Sequence, residues 1–168
     1  MEIISADGHI DMPFIWEDIF HKAAPAALKD RVPRYVEGEG WSVRGKPIFR
    51  GAGKYPKSKV SDRIRATGFV DDMERGINRP GTAERRIADQ KLDGLSGEVI
   101  YGLLGLDRSL KDDPEAVRFV FRFYYEWILD FISIAPERFA AIGPLACFDP
   151  DQAAEDVRHM ARLGLKGI

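Results

Sequence analysis

The chain has 168 residues, 45% of them hydrophobic and 31% charged, with a formal net charge of −2. That balance excludes a disordered or fibrous chain, and the near-neutral charge argues against one built as a whole around nucleic acid or an anionic membrane. The single cysteine, Cys147, excludes an intrachain disulfide and a cysteine-cluster zinc site, and the opening Met1-Glu2-Ile3-Ile4 has no basic-then-apolar leader, so a cytoplasmic protein is expected.

In chain order, the first predicted strand is Ile3-Ile4-Ser5-Ala6, ending at the turn formers Asp7-Gly8. Segment 33–81 is rich in Gly, Pro and basic residues and reads as a long lid-like insertion. Within it, Arg44, Lys46, Arg50, Lys54, Lys57, Lys59, Arg63 and Arg65 stand against one acid, Asp62, so 44–65 is expected to be irregular and exposed. A helix follows over 82–93, with Thr82 as its N-cap and Gly94 as its stop. The second strand is Gly97-Glu98-Val99-Ile100-Tyr101, ending at Gly102.

The strongest element is a helix over 113–135. Asp113 is a good N-cap, Pro114 suits the first helical position, and Val117, Val120, Phe121, Tyr124, Trp127, Ile128, Phe131 and Ile132 recur at three- and four-residue steps. Arg118, Arg122, Glu126 and Asp130 mark it as a soluble helix and not a membrane span. A third strand is placed at 140–146, where Pro144 is awkward for a central position. Asp149-Pro150-Asp151 starts a helix over 151–163 that stops at Gly164, and Leu165-Lys166-Gly167-Ile168 begins a fourth strand.

Strand and helix alternating at this spacing mean right-handed βαβ units and a parallel sheet, an α/β fold in one domain over 1–168. No Gly-rich phosphate-binding motif follows any strand, which removes the commonest nucleotide-binding readings.

The informative cluster is Asp7-Gly8-His9-Ile10-Asp11 at the end of the first strand, since parallel α/β folds build sites at the carboxyl ends of strands. A carboxylate and an imidazole two residues apart in extended backbone point to one side and can bind one divalent ion. Asp11 has the same parity and can join them or orient His9. The plainer reading is a tight turn with His9 facing solvent.

Ile4-Ser5-Ala6-Asp7-Gly8-His9-Ile10-Asp11-Met12-Pro13-Phe14-Ile15-Trp16 resembles the opening of amidohydrolase-related proteins, in the branch that contains aminocarboxymuconate-semialdehyde decarboxylase. Arg86 to Tyr101 is similar to that family's first crossover helix and second strand. Pro136-Glu137-Arg138-Phe139 with Ile142-Gly143-Pro144-Leu145 resembles its third strand, and Leu163 to Ile168 its fourth. The resemblance covers nearly the whole chain except the basic insertion.

The resemblance implies the N-terminal half of a (β/α)8 TIM barrel, about four parallel strands with crossover helices, holding a divalent metal ion, zinc or manganese. It implies hydrolysis or decarboxylation of a small organic acid. The family's first-strand ligands are commonly H-x-H, or acid-x-His in some decarboxylases; this sequence departs from H-x-H, leaving Asp7 with His9, or His9 with Asp11, and the first pair is favoured. The family's remaining ligands come from later strands and are expected beyond residue 168. The chain alone is therefore expected to be inactive, as a non-catalytic half-barrel or gene fragment would also be.

Tyr101 and Cys147, near the ends of the second and third strands, are candidate pocket residues, although packing explains either of them. His21 and His159 are read as solvent-facing. The basic segment 44–65 is read as a solvated lid or subunit contact that draws in anionic substrates, in preference to a nucleic-acid contact using Phe49 and Tyr55. A homo-oligomer is expected.

Overall fold

A computed structural model describes residues 2–10, 12, 15, 17–37, 39–48, 69–75, 82–103 and 106–168. The chain opens with β1 (Ile4–Ile10), continues through the short helix α1 (Ile19–Ala23) and a 3-10 turn at Ala26–Leu28, and forms β2 (Arg34–Val36), β3 (Gly40–Val43) and β4 (Lys46–Pro47). Helices α2 (Phe69–Glu74) and α3 (Ala83–Leu92) precede β5 (Gly97–Gly102). Helices α4 (Leu106–Leu110) and α5 (Pro114–Ile132) precede β6 (Phe139–Ala141), which α6 (Pro150–Leu163) follows.

Strands β1, β5 and β6 form a parallel sheet in that order, and a parallel bridge between Ile142 and Gly167 begins a fourth position. This is a mixed α/β arrangement compatible with part of a (β/α)8 barrel; the described strands do not close one. No helix among the described residues is long and apolar enough to cross a membrane.

The helix limits follow from their caps. The Thr82 hydroxyl accepts from the Arg85 amide at the start of α3. The Asp113 carboxylate accepts from the Ala116 amide at the start of α5, with Pro114 in the first turn where its missing N–H costs nothing. Asp149 accepts from the amides of Asp151 and Gln152, and α6 ends at Gly164, whose φ of 99° is open to glycine and strained for other residues.

Ala116, Val117, Val120, Phe121, Tyr124, Tyr125, Ile128 and Ile132 of α5 are buried in one core with Ile10, Ile100 and Ala141 of the sheet. Each large apolar side chain so buried contributes about 1.5–3 kcal/mol. Gly102 lets α5 approach closely, because a Cβ there would overlap the Tyr124 hydroxyl. The alternate residues of the sheet face the other way and stay open: Tyr101 follows buried Ile100 and is 36% exposed.

Three expectations need correction. The first strand does not stop at Ala6 but continues to Ile10, so Asp7, Gly8 and His9 are strand residues and not a turn. The pairing of β1 with β5 explains it, since Gly8, His9 and Ile10 lie opposite Ile100, Tyr101 and Gly102. The third strand covers 139–141 instead of 140–146: Pro144 has no N–H for a ladder, and its carbonyl accepts from the Tyr125 hydroxyl at 2.6 Å.

The front of segment 33–81 is an ordered antiparallel sheet, β2-β3-β4. Trp41 and Val43 are buried at alternate positions of β3, and the Trp41 indole donates to the Ile15 carbonyl at 3.0 Å. The two-residue turn Arg44-Gly45 has φ of 49° and 71°, the left-handed pair that matches hairpin twist. The rest of the basic run, 49–65, lies outside the described residues.

Candidate functional site

Between Ser5 and Gly8 the register shifts: Ser5 faces Glu98 and Gly8 faces Ile100, so β1 carries one residue more than β5. Such a bulge bends a strand and re-aims its side chains. Here Asp7 and His9 come together, with Asp7 Oδ1 and His9 Nε2 3.0 Å apart. The Asp7 side chain is 88% exposed and that of His9 32%, so both reach solvent. Tyr101, the register partner of His9, sets its ring 5.8 Å from the imidazole.

Buried polar groups support this pair from below. Glu98 has only 8% of its surface exposed, and a buried carboxylate is tolerated only when paired. Arg86 of α3 grips it with two bonds, Nε to Oε2 at 2.8 Å and Nη2 to Oε1 at 2.6 Å. Gln90, one helical turn on, donates to the same carboxylate at 3.0 Å. Arg138 donates to the Gln90 amide oxygen at 3.0 Å and to the Leu95 carbonyl at 2.7 Å. Arg86 also sends Nη1 to the backbone carbonyl of His9, 3.0 Å away.

Sequence reading missed this group. The signal was present: Glu98 is a charge in the middle of an apolar strand, and Arg86 and Gln90 lie four residues apart on the helix before it, hence on one face.

The other sequence candidates lie apart. Asp11 is outside the described residues. Cys147 is exposed between β6 and α6, its Sγ 4.0 Å from the Leu145 carbonyl. His21 pairs with Asp18 at 3.3 Å, and His159 sets its ring 6.4 Å from that of Tyr125. Among the described residues no group of three His, Cys, Asp or Glu side chains is arranged to hold a metal ion. Asp7 and His9 offer two donors, a carboxylate oxygen and an imidazole nitrogen, of the kind zinc and manganese accept.

A cavity of about 410 Å³ lies against the small sheet, away from Asp7 and His9. In its lining Arg44 pairs with Asp113 and His21 lies 3.3 Å from Asp18, while Lys29 and Arg34 stand beside the acids Asp30 and Glu39.

Two further ion clusters tie the fold together. Arg31 and Arg44 both bind Asp113, and the Arg31 hydrogen bonds hold that carboxyl down to about 2. Burial pushes the Asp156 carboxyl up, but hydrogen bonds from Arg118 and Arg122 outweigh it and leave it below the ordinary carboxylate range.

No family model matches the chain, and no curated protein matches it. Among solved structures it is similar to an amidohydrolase from Mycobacterium avium subsp. paratuberculosis K-10, with a TM-score of 0.66 at 17% sequence identity. The likeness covers 98% of this chain and 48% of that one. At that identity the likeness is one of fold, and the chain spans about half the length of the structure it matches.

Proposed function

We propose that this chain is the N-terminal part of a metal-dependent hydrolase or carboxy-lyase of the amidohydrolase kind, acting on a small organic acid. The observation that carries the reading is the Asp7–His9 pair, 3.0 Å apart and open to solvent on β1, in a fold shared with half of an amidohydrolase. The donor set fits a divalent ion such as zinc or manganese, with Asp7 offering carboxylate oxygen and His9 imidazole nitrogen. Bound there, the ion would supply Lewis-acid chemistry, activating water or polarising the substrate's carboxylate.

The chain's own residues have defined parts in this reading. Asp7 and His9 hold one side of the ion, and the Tyr101 ring beside His9 walls the substrate's approach. The basic residues of 44–65 raise the local concentration of an anionic substrate. Two ligands hold an ion weakly, so in this reading the remaining donors lie outside the described residues, and a chain that lacks them binds metal without turning over substrate.

The test is metal content and turnover of the 168-residue chain. Substoichiometric zinc or manganese that His9→Ala and Asp7→Asn both remove, with no esterase, amidase or decarboxylase activity, supports the reading. Metal uptake indifferent to both substitutions defeats it, and full turnover by the chain alone defeats the assignment of missing ligands.

A further inference from the structure

We infer that Arg86 is a positioning residue for the Asp7–His9 pair, acting through the backbone of β1 and not through any contact with an ion or substrate. The inference rests on the metal-site reading only for the purpose of the alignment, not for its existence.

The geometry is that of a clamp. A guanidinium is planar and presents its N–H groups in a fixed fork. Two arms of the Arg86 fork are committed to Glu98, at 2.8 and 2.6 Å, and this fixes the plane of the third. That third arm meets the His9 carbonyl at 3.0 Å. Glu98 is itself held by Gln90, and Gln90 by Arg138, so the clamp is braced from α3, β5 and the turn before β6 together.

Gly8 completes it. A Cβ at Gly8 would overlap the Glu98 carboxylate, so the strand lies directly on the clamped acid between the two candidate ligands. The bulge at Ala6–Asp7 gives β1 an extra residue that nearby ladder bonds do not fix. Fixing the His9 carbonyl on one side of the bulge and seating Gly8 on Glu98 leaves the two side chains one shared direction. A lysine at 86 would keep the charge but has one nitrogen, which cannot serve Glu98 and the His9 carbonyl in the same plane.

The test separates positioning from plain stability. Arg86→Lys keeps a cation beside Glu98; the double variant Arg86→Met/Glu98→Gln leaves no buried charge unpaired and stands in if the first does not fold. Asp156→Asn, at the α5–α6 contact, is a destabilised control that touches no part of the clamp.

In metal-free protein, the His9 ring-proton NMR shifts report the neighbouring Tyr101 ring. They are expected to move in both Arg86 variants and to stay at wild-type values in Asp156→Asn. Co²⁺ affinity is expected to fall about tenfold or more in the Arg86 variants, the usual loss when the support of a ligand is removed.

Unmoved His9 shifts in a folded Arg86 variant overturn the inference, whatever the melting temperature does. If wild-type chain takes up no Co²⁺ at all, the metal-site reading falls, and the NMR comparison still decides the role of Arg86.

Discussion

Asp113 joins three parts of the molecule, and its removal has a calculable effect. Its carboxylate caps α5 through the Ala116 amide, binds Arg31 with two hydrogen bonds at 2.9 and 2.6 Å, and binds Arg44 at the tip of the β3–β4 hairpin. It is only 5% exposed. The drop of its pKa from 3.8 to about 2 corresponds to about 2.5 kcal/mol at roughly 1.4 kcal/mol per unit, an upper figure because both arginines reach solvent.

Asp113→Asn keeps a good cap and loses the charge, so it is expected to cost about 2 kcal/mol; Asp113→Ala also loses the cap, for about 3 kcal/mol. The sign in pH follows from the lowered pKa. The carboxylate's contribution is complete above roughly pH 4 and disappears as pH falls toward 2. Urea denaturation followed by circular dichroism, repeated from pH 7 to pH 2, reads both quantities. An Asp113→Asn loss under about 0.5 kcal/mol at pH 7, or a loss that persists undiminished at pH 2, refutes the reasoning.

Arg44→Gly is expected to be nearly neutral in the same assay, since relief of a left-handed φ worth about 1 kcal/mol offsets a half-exposed ion pair of similar size. Gly8→Ala, which drives a methyl into the pinned Glu98 carboxylate, is expected to cost about 1–3 kcal/mol by thermal melting, and an unchanged melting temperature would mean Glu98 is free to swing away. The chain is expected to self-associate in light scattering, because among the described residues β1 has no strand on its outer edge and Ile4, Tyr101 and Ile168 are exposed, whereas a monodisperse monomer would count against it.

Helices were the most legible part of the sequence. Caps and stops are local chemistry, so Thr82, Asp113, Asp149 and Gly164 act where a reader places them. Strand ends were less legible because they are set by partners far along the chain: β1 continues to Ile10 because β5 is there to pair with it. The small sheet was hidden by its composition, since Gly, Pro and basic residues surround the few alternating positions, Trp41 and Val43, that bury it. At the candidate site, the two-residue spacing of Asp7 and His9 could be read directly. Their support could not, because Arg86, Gln90, Glu98 and Arg138 meet only once helix and strands have packed.

The central claim is that Asp7 and His9 together are the ion-binding end of β1, and paramagnetic broadening by Mn²⁺ tests it in place. Trace Mn²⁺ added to the isotope-labelled chain should broaden NMR signals around Asp7, Gly8, His9 and the neighbouring Tyr101 before any others, and His9→Ala should abolish that selectivity. Broadening centred on the exposed carboxylates elsewhere, or a pattern unchanged by His9→Ala, would contradict the claim.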